Sequence, residues 1–127
     1  WEGSTYDMLK DNPAYRSWID NPEQVTPPGA EPFTAFQERI SQFVEGRMLP
    51  ILEKKDELDH SSDHAHLSMN IAYPKVLIVT HGGVIRQLVS AYVRDRDFNS
   101  VMAVPGEMLV LRLRLQAGQL SGEILNE

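Results

Sequence analysis

Apolar residues along this chain gather into patterned stretches separated by polar and proline-rich segments. The most readable stretch is Lys75 to Val93. Val76, Leu77, Ile78 and Val79 form an unbroken apolar run that ends in Thr80-His81-Gly82-Gly83. Val84, Ile85, Leu88, Val89, Tyr92 and Val93 then recur at helical spacing. The pattern predicts a buried strand, a tight turn and a helix, with His81 at the strand's carboxyl end. Further on, Leu109, Leu111, Leu113 and Leu115 alternate with Val110, Arg112 and Arg114, as on a half-exposed strand. Ala117-Gly-Gln turns the chain and 120–125 returns, which predicts a C-terminal hairpin.

The first third reads as helical. Ser4 or Thr5 is placed to cap a short helix over 6–10. Asn12-Pro13 restarts a helix, with Asn as the cap and Pro at the first helical position. Tyr15, Trp18 and Ile19 share one face of it, and they read as packing residues rather than stacking platforms. Residues 21–32 hold Pro22, Pro27, Pro28, Pro32 and Gly29, a stiff loop of the length that is more often functional than accidental. Thr34 and Gln37 match a capping box, and Phe36, Ile40, Phe43, Val44 and Met48 follow a helical period. Pro50 should kink this helix, while 53–74 lose periodicity and read as a charged, His-rich surface loop.

Composition narrows the classes. The 127 residues suffice for one core and not for two ordinary domains, so 1–127 is read as a single, incomplete domain. Net charge is −6, and Arg94 and Arg96 are interleaved with Asp95 and Asp97, which argues against a nucleic-acid partner. With no cysteine there is no disulfide or thiolate metal site, and a cytoplasmic location fits. No apolar run approaches the ~20 residues that span a bilayer, so no membrane partner is expected. Trp1 in place of Met suggests a processed or truncated product.

The candidate chemistry centres on His81. A histidine in an apolar setting is commonly a satisfied core residue. Here the strand-end position, the Gly82-Gly83 pair and the helix start favour an anion site instead. The N–H of Gly82 is a further donor. Arg86, about a turn later, is placed either to reach an anion or to pair with an acid. Arg112 and Arg114 read as the exposed face of a strand. His60, His64 and His66, with Asp59 and Asp63, permit metal-ligand spacings, but a solvated His/Asp-rich loop is the simpler reading and no metal is expected.

Val-Thr-His-Gly-Gly-Val-Ile-Arg at 79–86 resembles the second-histidine motif of the histidine phosphatase (phosphoglycerate mutase-like) superfamily. Trp1-Glu-Gly-Ser-Thr-Tyr-Asp and Pro27-Pro-Gly-Ala-Glu31 resemble two earlier segments of that family, in the right order, with Ala30 and Pro32 as departures. Within the family the pattern is nearest to small phosphatases such as the α-ribazole phosphatases. The resemblance implies an α/β fold, three-layer α/β/α with a mostly parallel mixed sheet. It implies a phosphohistidine mechanism in which His81 hydrogen-bonds the transferring phosphoryl oxygens, with no cofactor. It also places Glu31 near the substrate mouth, and makes the partner a small-molecule phosphate monoester.

The family's nucleophile lies in an Arg-His-Gly triplet, and none occurs here: His60, His64 and His66 follow Asp, Asp and Ala. The resemblance therefore implies the C-terminal part of such an enzyme, lacking the N-terminal strand and helix and inactive alone. The alternative is a non-catalytic anion-binding or regulatory module. Without a central strand, the chain is expected to be marginal, to dimerise, or to swap strands.

Overall fold

The computed structural model describes residues 1–60 and 74–126, with the side chains of 55–60 left aside. These residues divide into two compact units, Trp1–Ser41 and Gln42–Glu127.

In the first unit, α1 (Tyr6–Leu9) is a single turn whose N-cap residue, Thr5, makes no side-chain cap bond. The start of α2 (Pro13–Asp20) follows the sequence rule closely. The Asn12 side chain accepts from the N–H of Ala14 at 2.9 Å and of Tyr15 at 3.3 Å, and Pro13 occupies a position that needs no donor. Tyr15 and Trp18, a turn apart, are half-buried and gather Trp1 between them. Trp1 meets Tyr15 edge-on with centroids 5.4 Å apart and lies 6.0 Å from Trp18. Offset and edge contacts of this kind suit the ring quadrupoles. Ile19, expected on the same face, is more than a third exposed, at 38%.

Helix α3 (Phe33–Phe43) starts two residues earlier than a capping box with Thr34 at the N-cap predicts. Its first turn closes with the Phe36 N–H donating to the Pro32 carbonyl at 3.1 Å, so Thr34 lies inside the helix. The backbone then widens into a π-helical turn, Val44–Met48, before α4 (Leu49–His60). Pro50 explains the widening. It has no N–H to give and its ring would crowd the carbonyl four residues back, and a π turn relieves both. Because α4 runs to His60, residues 53–60 are helical rather than part of a loop. The sequence of this stretch carries no apolar stripe at helical spacing, which is why periodicity misread it.

The second unit holds α4, α5 (Gly82–Tyr92) and a hairpin of β1 (Leu111–Gln116) and β2 (Gln119–Ile124). Ala117 and Gly118 form the two-residue turn, with φ of 51° and 76°. Positive φ at both positions matches the right-handed twist of the strands. Arg112 lies opposite Glu123 in the antiparallel register and pairs with it at 2.7 Å, on the exposed face as expected. Helix α4 packs on β1 and α5 on β2, and Val44, Val89 and Val101 are buried. Asn126 extends the hairpin's bonding with side-chain atoms. Its Oδ1 accepts from the Val110 N–H, and its Nδ2 donates to the Met108 carbonyl, both at 2.7 Å.

The sheet departs from expectation. Among the described residues it has two antiparallel strands, and one isolated parallel bridge joins Val93 to Gly122. The apolar run 76–79 joins no ladder, and Leu77 and Val79 are 77% and 91% exposed. The three-layer, mostly parallel sheet is therefore not what these residues build. Mixed α and β content stands. No described helix is long and apolar enough to cross a membrane.

Val89 is 1% exposed and Met102 80%. Val89→Ala should lower unfolding free energy by about 2 kcal/mol, from lost methyl burial and a residual cavity. Met102→Ala should change it by less than about 0.5 kcal/mol. Urea denaturation of both variants checks the contrast.

Candidate functional site

His81 occupies the N-cap of α5 with extended backbone, φ −88° and ψ 157°, and its side chain makes no capping bond. The imidazole is exposed, not sealed in the core. Its carbonyl takes the N–H of Val84 at 3.0 Å and of Ile85 at 3.3 Å. The N–H groups of Gly82 and Gly83 have no such acceptor among the described residues, as the first residues of a helix must not. An exposed imidazole and two free backbone donors thus stand at the positive end of an eleven-residue helix. That arrangement suits an oxyanion.

The two glycines serve differently. A Cβ built on Gly82 would meet the Ala103 Cβ at 3.3 Å and its carbonyl oxygen at 3.6 Å, whereas one on Gly83 would meet nothing within 4 Å. Gly82 therefore lets the 101–104 segment close against the helix start, and Gly83 leaves its side of the turn open. Sequence reading missed Ala103. The contact is long-range, and neither residue carries a local signal for it.

Arg86 shows no ion pair with an acid among the described residues. Its guanidinium lies over the Phe98 ring at 6.0 Å, and its Nε is buried without a hydrogen-bond partner among the described residues.

Glu31 lies in the first unit, while His81 and Gly82 belong to the second. Its carboxylate is engaged by Arg39 through two parallel bonds, Nε to Oε1 at 3.0 Å and Nη2 to Oε2 at 3.1 Å. Hydrogen bonding from Arg39, supported by its charge, holds the Glu31 carboxyl below the usual carboxylate range and raises Arg39 in turn. Arg39 was not singled out from the sequence. A Glu in a loop and an Arg eight positions on share no local pattern. Of the histidine cluster, His60 ends α4, and His64 and His66 fall outside the described residues. Among the described residues no three His, Cys, Asp or Glu side chains gather as metal ligands.

Compared with known proteins, residues 1–105 match the family model described as histidine phosphatase superfamily (branch 1). The match takes in the Trp1 segment, Glu31, the His81 turn and Ala103, and stops before the hairpin. No curated protein and no solved structure matches the chain.

Two tests follow. Gly83→Ala should stabilise the chain by about 0.5–1 kcal/mol, the usual helix gain over glycine. Gly82→Ala should fall short of that because the new methyl crowds Ala103, and thermal melts of the pair read the difference. By NMR the Glu31 carboxyl should titrate below the usual carboxylate range, held there by the Arg39 hydrogen bonds. A carboxylate with a lowered folded pKa contributes stability above its unfolded pKa, and loses it as pH falls through the folded one. Arg39→Gln should return the midpoint toward the ordinary value.

Proposed function

The chain belongs to the histidine phosphatase superfamily, branch 1, and from that premise we propose that His81 and the Gly82 N–H bind the phosphoryl group of a phosphate monoester. The observation that carries the reading is the exposed imidazole at a helix start whose first N–H groups are free. Donors fixed where charge develops lower the barrier without reorganising, so the pair would serve the transition state as well as the bound phosphate.

In the full reaction a histidine nucleophile attacks phosphorus. The bond to the leaving oxygen breaks as an acid protonates it, and water then releases the phosphate from the phosphohistidine. These 127 residues contain no Arg-His-Gly triplet to supply that nucleophile. We take them as the later portion of such an enzyme, able to bind phosphate and unable to turn over substrate alone. The exposed apolar run 76–79, without a ladder partner among the described residues, supports the same view. A strand of that composition suits the interior of a mostly parallel, three-layer sheet. Of the possible substrates, α-ribazole 5′-phosphate is the one the motif pattern favours, in a cytoplasmic setting suited to a chain without cysteine. Glu31, bridged to Arg39, would shape the substrate mouth by holding its loop rather than by touching phosphate. The missing triplet equally favours a second reading, a non-catalytic anion-binding module. Self-association through the open run 76–79 accompanies either.

Titrating the ¹⁵N-labelled chain with orthophosphate should shift the Gly82 and Gly83 amides and the His81 ring. His81→Ala should weaken that binding at least about tenfold. Joined to a segment that carries Arg-His-Gly, the chain should hydrolyse phosphate monoesters, with His81→Ala reducing kcat about 10²- to 10³-fold. No phosphate-dependent shift at Gly82 would remove the basis of the reading.

A further inference from the structure

Segment 26–32 has little backbone bonding to hold it. Pro27, Pro28 and Pro32 have no N–H, and its one internal backbone bond is a turn in which Ala30 donates to the Pro27 carbonyl at 3.0 Å. Gly29 makes that turn with φ of 72°. Proline presets φ at three positions, but a stiff segment still pivots at its ends. Glu31, near the end of the segment, carries the two-point bridge to Arg39 described above.

The other half of the bridge is preset. Phe33, Phe36 and Arg39 recur every three residues along α3, and therefore lie in a row. The Phe33 and Phe36 rings stand 5.8 Å apart, and the Arg39 guanidinium lies 5.5 Å from the Phe36 centroid. Stacking on an aromatic face restricts a long side chain that would otherwise roam. Both partners remain substantially exposed, at 59% for Arg39 and 40% for Glu31. Exposure argues against a role in holding the core together. It leaves the local effect, since a bidentate Arg–carboxylate pair fixes orientation as well as distance.

We propose that Arg39, held in place by Phe36, is a positioning residue that latches Glu31 and so presents segment 26–32 in a single conformation. A latched segment offers a ligand one preformed wall and spares the cost of ordering it on binding. The latch lies wholly within the first unit and does not depend on the phosphate reading of His81.

The test is amide exchange and ¹⁵N relaxation on the 127-residue chain, comparing Gly29 and Ala30 with Ile40 inside α3. Glu31→Gln and Arg39→Gln should each speed exchange at Ala30, whose N–H is the bonded one, about three- to fivefold, the upper range for an exposed pair, and increase ¹⁵N-detected motion at Gly29. Ile40 should not change. The double variant should be no faster than either single one, because one interaction is lost once. The charge swap, Glu31→Arg with Arg39→Glu, should recover more than half of the protection. Arg39→Lys should not, since an ammonium lacks the fork. Phe36→Leu should loosen the segment when Glu31 is present and add nothing in the Glu31→Gln background. Unchanged exchange at Ala30 in Glu31→Gln, additive single effects, or equal acceleration at Ile40 would each overturn the latch.

Discussion

A helix cannot satisfy its own first N–H groups, and in this chain that constraint falls on Gly82 and Gly83. Many helices meet it with a Ser, Thr, Asp or Asn side chain at the N-cap, as Asn12 does for α2. Helix α5 has a histidine there instead, and its ring does not bond back to the turn. The donors are left for something outside the helix. Around them the structure is close-fitting on one side, where a methyl on Gly82 would crowd Ala103, and open on the other, at Gly83.

The two units use charge and aromaticity in different ways. In the first, Trp1, Tyr15 and Trp18 pack together, and the aromatic row on α3 steadies a cation that reaches the proline-rich loop. In the second, a few buried valines and a short hairpin carry the packing, and much apolar surface stays in solvent. Such exposure is unusual for a settled surface and concentrates on 76–79 and on Met102 and Met108. The chain belongs to the histidine phosphatase superfamily, branch 1, and its sequence contains no Arg-His-Gly triplet.

Local rules were legible in the sequence wherever one residue governs its own neighbourhood. Asn12-Pro13 started a helix, and Ala117-Gly118 turned a hairpin whose alternating leucines and arginines took the expected faces. Helical spacing after His81 located α5. Local rules misled at Thr34, where Pro32 supplied the helix's first acceptor, and at 53–60, where charge was mistaken for irregularity. They also misled at 76–79. An apolar run announces a strand only if neighbouring strands bond to it, and here none of the described residues does.

What the sequence by itself determined is the helix after Asn12, the C-terminal hairpin and the presence of a histidine at a glycine-rich helix start, because spacing and capping act over a few residues. Tertiary structure alone decided that Glu31 belongs to Arg39, that Arg86 turns to Phe98, and that Gly82 lies close against Ala103. Those facts depend on chain segments meeting in space. No period or motif encodes which distant side chain will arrive.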